Sequence, residues 1–254
     1  MSFSLQSTTL LASGVLRLGP LRLSAYGVFA AIGLLAALGL SQRTAPLVGL
    51  RPQSLWDAGF FTATAAFVFS RLLLILRDPH AFATIPMRIL TLPSFTWLGM
   101  ALTAVVTLVY LLRRKLPLLR VLDAWSPCAA VLAAALSLGH FAEGTDTGTS
   151  TSLPWGVPSP DPGLGRVHPV QLYAFAAALA IAAILFHQLR QQPRAGLVTA
   201  LALIAGGILA LLLAMFTQPT QPLATGWLEP GQWIAITTVL TGAVLLTLPP
   251  QERA

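Results

Sequence analysis

The chain has 254 residues, of which 56% are hydrophobic and 9% are charged, and its formal net charge is +7. A soluble domain carries about 25% charged residues, so this composition excludes an ordinary soluble protein and indicates an integral membrane protein. The basic residues are scattered over short loops, which excludes a nucleic-acid-binding surface and suits contact with anionic lipid. The only cysteine, Cys128, lies in an apolar run, which excludes an intramolecular disulfide and a metal site built from paired cysteines.

Seven apolar runs follow one another along the chain, each close to the roughly 20 residues that a helix needs to cross a bilayer. They cover residues of about 24–41, 57–76, 94–112, 121–139, 169–187, 196–216 and 232–248. The runs are continuous rather than alternating, and in lipid only helices or closed barrels satisfy their backbone hydrogen bonds. We therefore predict an all-α integral membrane protein with about seven transmembrane helices around a lipid-accessible central cavity. The prediction treats residues 1–254 as a single transmembrane domain. Because Pro127 interrupts the fourth run and the last run is short, counts of six and eight helices stay open.

Positive charge in the loops predicts the orientation of these helices. If the first loop is cytoplasmic, its side holds Arg43, Arg51, Arg113, Arg114, Lys115, Arg120, Arg190, Arg194 and Arg253, and the other side holds Arg17, Arg22, Arg77, Arg88 and Arg166. Cytoplasmic loops are enriched in Lys and Arg. We therefore expect the N-terminus outside and the C-terminus in the cytoplasm.

One loop, at about residues 140–168, is longer and more polar than the others. It reads HFAEGTDTGTSTSLPWGVPSPDPGLGRVH and lies between the fourth and fifth runs, on the predicted outer side. The plain interpretation is an exposed loop stiffened by its prolines. The motif GRVHPVQLY, residues 165–173, nevertheless places several polar side chains at the mouth of the fifth run, although Pro169 also suits the first position of a helix.

This motif resembles the His-Pro-x-Gln-Leu-Tyr-Glu segment of prolipoprotein diacylglyceryl transferases, which PWGV precedes in that family as it does here at residues 154–157. Further matches follow the family's order from about residue 15 to residue 248. They are the pair Tyr26 and Gly27 after a short strand-like stretch, Arg71 in the second run, and the pair Gly231 and Gln232 at the last run.

The resemblance implies transfer of a diacylglyceryl group from phosphatidylglycerol to the lipobox cysteine thiol in the signal peptide of a prolipoprotein. It places this reaction at the outer face of the bacterial cytoplasmic (inner) membrane and implies no cofactor. The reaction needs a thiolate, because a thiol is a weak nucleophile. It also needs cations or hydrogen-bond donors to hold the departing glycerol phosphate.

Several positions depart from the family's pattern. Ser137 stands where the resemblance predicts an arginine, Thr96 where it predicts a histidine, and Ala210 and Ala214 where it predicts an arginine and a glutamate. Two hypotheses follow. The chain is a divergent transferase whose chemistry has moved to other residues, or it is a non-catalytic lipid- or partner-binding relative.

For the first hypothesis we predict His140, Glu143 and His168 as catalytic residues. His140 and Glu143 are three residues apart and share a helix face, so Glu143 is placed to orient the imidazole as a general base. The alternative is that both residues only cap the fourth helix in water. A metal site formed with Asp146 has acceptable ligand types, but these residues are spread over a loop, and we predict no metal.

For the lipid headgroup we predict Tyr26, Arg71, Arg166, Gln171 and Tyr173. Arg71 lies within an apolar run, where an ionisable residue is costly enough to indicate a function. The alternatives are a snorkelling arginine and, for Tyr26, an interfacial anchor.

Overall fold

The computed structural model describes residues 15–18, 21–77, 96–145, 148–159, 162–218 and 228–247. Within these residues the seven α-helices are α1 (Ala25–Thr44), α2 (Pro52–Arg77), α3 (Trp97–Arg113), α4 (Leu118–Glu143), α5 (Val170–Arg190), α6 (Leu197–Ala214) and α7 (Pro230–Thr247). Six of them are long and apolar enough to cross a membrane, and α3 is a shorter apolar helix of 17 residues. Each predicted run therefore forms one helix, and the prediction of an all-α, multi-pass membrane protein with about seven helices is confirmed.

Two short antiparallel hairpins accompany the helices. Strands β1 (Val15–Leu18) and β2 (Leu21–Ser24) pair directly before α1, which confirms the strand-like stretch expected there. Ser24 then caps the helix, because its hydroxyl accepts the backbone N–H of Gly27 at 3.0 Å. Strands β3 (Val157–Pro158) and β4 (Arg166–Val167) pair within the long loop. The first hairpin thus places Tyr26 in the first turn of α1.

Helix α4 is the centre of the bundle and packs on α1, α5 and α6. Small residues bring α1 and α4 together: a Cβ added to Gly33 would collide with Ala135, and one added to Gly139 would lie 3.0 Å from the Cα atom of Tyr26. In lipid no hydrophobic effect drives helices together, so close packing at small residues stabilises their association instead. The start of α1 is therefore fixed against the end of α4.

Helix α4 runs without a break through Pro127 and ends at Glu143. The long loop accordingly begins at Gly144, four residues later than predicted, and His140 and Glu143 lie in the last turn of the helix rather than in the loop. Neighbouring helices cover Pro127, which is buried, and this allows the helix to continue past a residue that lacks a backbone N–H.

A buried carboxylate joins α4 to α6 at the other end of the bundle. Asp123 is 2% exposed. It accepts the N–H of Gly196 at 2.6 Å and both the N–H and the hydroxyl of Thr199, at 2.8 and 2.7 Å. The first N–H groups of a helix have no partner within it, so Asp123 caps α6 from a different helix.

Candidate functional site

Tyr26, His140 and Glu143 meet where α1 begins and α4 ends. A carboxylate oxygen of Glu143 accepts the backbone N–H of Tyr26 at 3.2 Å. The rings of Tyr26 and His140 lie 4.7 Å apart between centroids, tilted by 54°. All three residues are half-buried. Glu143 thus caps the start of α1 and brings the Tyr26 ring onto the imidazole.

Thr145 is the hydrogen-bonding partner of His140 at Nδ1. Its hydroxyl oxygen lies 2.9 Å from that nitrogen, and both its hydroxyl and its N–H donate to the carbonyl of His140. The structure places Thr145 at Nδ1 and directs an oxygen of Glu143 to Tyr26. The role of Glu143 in orienting this ring stays a prediction.

A second group forms around His168 at the start of α5. The indole N–H of Trp155 donates to the hydroxyl of Tyr173 at 2.8 Å, and Nδ1 of His168 lies 3.4 Å from the same hydroxyl. The ring of Phe216, just past the end of α6, lies 5.1 Å from the ring of His168. The motif GRVHPVQLY therefore brings His168 and Tyr173 together, as one imidazole beside one phenol.

Backbone pairing holds this second group in place. The N–H of Thr149 donates to the carbonyl of Phe216 at 2.8 Å, and the N–H of His168 donates to the carbonyl of Thr149 at 3.0 Å. Gly148 lies so close that a Cβ there would collide with the carbonyl oxygen of His168. The loop thus ties the start of α5 to the end of α6.

Arg166 stabilises the same loop from its exposed side. Its Nε and Nη2 atoms donate to the carbonyls of Gly156 and Pro154 at 3.0 and 3.1 Å. A guanidinium carries five N–H donors, so Arg166 can hold the loop and still bind an anion. Gln171 lies half-buried in the first turn of α5.

Arg71 lies on α2, half-buried, with its guanidinium carbon 5.2 Å from the centroid of the Phe67 ring. This distance is that of a cation–π contact. The preceding residue, Ser70, lines a groove of about 380 Å³ between α2, α3 and α4. Arg71 is therefore a cation that directly follows a residue lining the groove.

The groove is apolar although several threonines line it. The hydroxyl of Thr62 donates to the carbonyl of Ala58, and that of Thr103 donates to the carbonyl of Gly99, both at 2.8 Å. Their methyl groups remain to form the wall. From Gly99 to Leu111, both of which line the groove, α3 rises by about 18 Å. This length and lining suit a hydrocarbon chain.

The predicted site residues thus fall into two groups and one separate cation. Tyr26, His140 and Glu143 form the first group, and Arg71 is the separate cation. The second group contains His168 and Tyr173, with Arg166 in the adjoining loop and Gln171 in the same first turn of α5. None of the eight predicted residues lines the groove. Asp146, considered as a metal ligand, lies outside the described residues. Among the residues that are described, no three His, Cys, Asp or Glu side chains gather as metal ligands would.

Two positions that depart from the family's pattern engage their own helices. The hydroxyl of Ser137 donates to the carbonyl of Ala133 at 3.0 Å. The hydroxyl of Thr96 accepts the N–H of Gly99 at 3.1 Å as the cap of α3. Neither side chain brings a charge.

Sequence reasoning missed Thr145 and Trp155 as members of the site. Trp155 lies 18 residues from its partner Tyr173, and no spacing rule pairs them. A signal was present for Thr145, because a glycine at the end of a helix commonly reverses the chain and returns the next residue to the last turn. Asp123 also carried a signal, since it is an acidic residue inside a predicted span.

Known proteins match this chain over nearly its whole length. Residues 13–248 match the family model of prolipoprotein diacylglyceryl transferase. Three relatives bear the name phosphatidylglycerol-prolipoprotein diacylglyceryl transferase. The protein of Bordetella bronchiseptica is 30% identical over 94% of this chain and 96% of its own length. Those of Coxiella burnetii and Solidesulfovibrio magneticus are each 29% identical, over 91% and 90% of this chain and 92% and 91% of their own lengths. The match runs from β1 to α7.

Proposed function

The chain belongs to the prolipoprotein diacylglyceryl transferase family, and we propose that it transfers the diacylglyceryl group of phosphatidylglycerol to the lipobox cysteine thiol of a prolipoprotein. The observation that carries this proposal is the family match, which covers every described helix. In the reaction the sulfur attacks the carbon of the diacylglyceryl group that is bonded to the phosphate oxygen. A C–S bond forms, the C–O bond to the phosphate breaks, and glycerol phosphate leaves.

His140 serves as the base in this proposal. It takes the proton of the acceptor thiol, because the thiolate is the nucleophile, and passes that proton to the departing phosphate. Glu143, one turn along the same face of α4, stabilises the imidazolium that forms. Glu143 also holds the Tyr26 backbone, so the Tyr26 ring covers one side of His140 and limits its contact with water.

Cations at the same end of the bundle bind the phosphate. Arg71 and Arg166 donate charge-assisted hydrogen bonds, which are about twice as strong as neutral ones. His168 adds a donor whose position is set by Tyr173 and by the loop backbone, and Gln171 binds the glycerol hydroxyls. One acyl chain lies in the groove beside Ser70, which keeps the headgroup next to Arg71.

A specific observation favours a second candidate, a non-catalytic relative that binds lipid or a partner. Ser137, Thr96, Ala210 and Ala214 are uncharged at positions where the resemblance predicts charged or titratable residues. Such a relative would keep the groove and Arg71 and would lack transfer.

Complementation separates the two candidates. A bacterial strain depleted of its own diacylglyceryl transferase receives the wild-type chain, His140→Ala, His168→Ala or the control Thr241→Val. The hydroxyl removed in the control donates to the carbonyl of Thr237 on the exposed side of α7. We expect rescue by the wild type and the control alone. If the wild type reaches the membrane and does not rescue, the non-catalytic candidate is supported.

Lipid retention tests the headgroup assignment. Protein extracted gently from membranes is analysed by mass spectrometry for bound phospholipid, with Arg71→Ala beside the wild type. We expect enrichment of phosphatidylglycerol that Arg71→Ala lowers. Equal lipid content in both proteins would contradict the assignment of Arg71.

The proposal also places the site at the outer face of the bacterial inner membrane. Cys128 is buried, so cysteines introduced at exposed positions can be labelled separately. Ser150→Cys should react with an impermeant thiol reagent in intact spheroplasts, and Arg114→Cys should react only after lysis. The opposite pattern would reverse the orientation.

A further inference from the structure

Thr145 contacts His140 through three hydrogen bonds within the turn that ends α4. Its N–H donates to the carbonyl of His140 at 3.1 Å, and its hydroxyl donates to the same carbonyl at 3.2 Å. The hydroxyl oxygen also lies 2.9 Å from Nδ1 of the imidazole. Gly144 makes this arrangement because its φ of 67° reverses the chain at little steric cost.

These contacts favour one position for the proton of the neutral imidazole. A threonine hydroxyl has one proton and a carbonyl can only accept, so both contacts of the hydroxyl are satisfied together only when its proton points to the carbonyl of His140. In that arrangement the hydroxyl oxygen accepts at its other contact, and the proton between Oγ1 and Nδ1 belongs to Nδ1. Since a neutral imidazole carries one proton, Nε2 of His140 holds the lone pair.

We propose that Thr145 is a positioning residue that sets the Nδ1–H tautomer of His140 and makes Nε2 the basic atom. The inference rests on the proposed function, in which His140 takes the thiol proton. A base is effective when a further group orients it, and here a neutral hydroxyl has that role. Gly144 in the sequence indicates that the chain reverses here, but only the structure shows that the Thr145 hydroxyl reaches Nδ1 of His140.

The test combines a spectroscopic measurement with a transfer assay. The full chain is purified in lipid nanodiscs with ¹⁵N-labelled histidine, and His140→Ala identifies the signals of His140. In neutral imidazole the protonated and unprotonated nitrogens resonate separately. The variants are Thr145→Val, the conservative Thr145→Ser, and Thr241→Val as a matched loss of an exposed hydroxyl bonded to a helix carbonyl.

We expect the wild type, Thr145→Ser and Thr241→Val to show a protonated Nδ1, and Thr145→Val to shift towards a protonated Nε2. Turnover with phosphatidylglycerol and a prolipoprotein peptide should fall about tenfold in Thr145→Val, as for the loss of one hydrogen bond. The KM for lipid should not change, and Thr145→Ser should recover most of the turnover.

Two results would overturn the inference: a protonated Nε2 in the wild type, or an unchanged tautomer in Thr145→Val. Transfer that depends on His140 but not on Thr145 would also overturn it. If the tautomer shifts as expected while the wild type transfers no lipid, Thr145 is supported as the positioning residue and the proposed function is refuted.

Discussion

Replacing Asp123 should separate the stability of the bundle from the chemistry of the site. Asp123 accepts three hydrogen bonds from the first turn of α6, at the end of α4 that is far from His140. The groups that donate to it belong to Gly196 and Thr199, and both residues are buried. Removal of the carboxylate therefore leaves buried donors without an acceptor.

The expected loss follows from the number of donors. In Asp123→Ala the N–H groups of Gly196 and Thr199 both lose their acceptor, at about 1–3 kcal/mol each. The Thr199 hydroxyl can rotate to a carbonyl of its own helix and adds little. We expect the free energy of unfolding to fall by about 4 kcal/mol, the middle of the summed range.

Asp123→Asn should lose less. The amide oxygen can take the place of Oδ1 and keep both bonds from Thr199, whereas the NH₂ group then faces the N–H of Gly196. One bond is lost, and we expect a decrease of about 1–2 kcal/mol. Thr199→Val removes only the hydroxyl donor and should cost about 1 kcal/mol.

The assay is SDS-induced unfolding in mixed micelles, followed by tryptophan fluorescence, with amide hydrogen exchange at Gly196 and Thr199 as the local measurement. The control is Asp57→Ala, which removes an exposed carboxylate bonded to Gln53 at 2.7 Å; it should change stability by less than about 0.5 kcal/mol. Equal losses in Asp123→Ala and Asp123→Asn, or an effect of Asp123→Ala no larger than that of the control, would refute the hydrogen-bond reasoning.

Two glycine substitutions test the packing of the site. In Gly139→Ala the new Cβ lies 3.0 Å from the backbone of Tyr26, so the unfolding free energy should fall by about 1–3 kcal/mol and transfer should decrease. In Gly148→Ala the methyl group collides with the carbonyl of His168, and we expect reduced transfer in a protein that still inserts. Gly39→Ala is the control for both, because no atom lies within 4 Å of its added Cβ and alanine favours the helix. Wild-type transfer in either test variant would show that the contact yields without displacing the site.

Each of the seven helices could be predicted from the sequence, and the family resemblance indicated the strand-like stretch before α1, but the pairing of its two strands comes from the structure. An apolar run predicts a helix because in lipid the backbone N–H and C=O groups must form hydrogen bonds within the segment itself. The local sequence is therefore enough to predict each helix. The family was also recognisable, since the segments that carry it are short and contiguous, such as the one that ends at Tyr173. Pro127 shows the limit of this local reasoning: its interruption of the run did not end α4, because neighbouring helices bury it.

Only the tertiary structure decided which polar groups meet. Glu143 and Tyr26 are 117 residues apart, and Asp123 and Gly196 are 73 apart. The apolar faces that surround them carry little information on pairing, because lipid solvates one leucine face as well as another and association depends on close packing at small residues. The contact of Gly139 with Tyr26 is such a case. It brings α1 against α4, and this approach, which hydropathy does not encode, places His140 beside the ring of Tyr26.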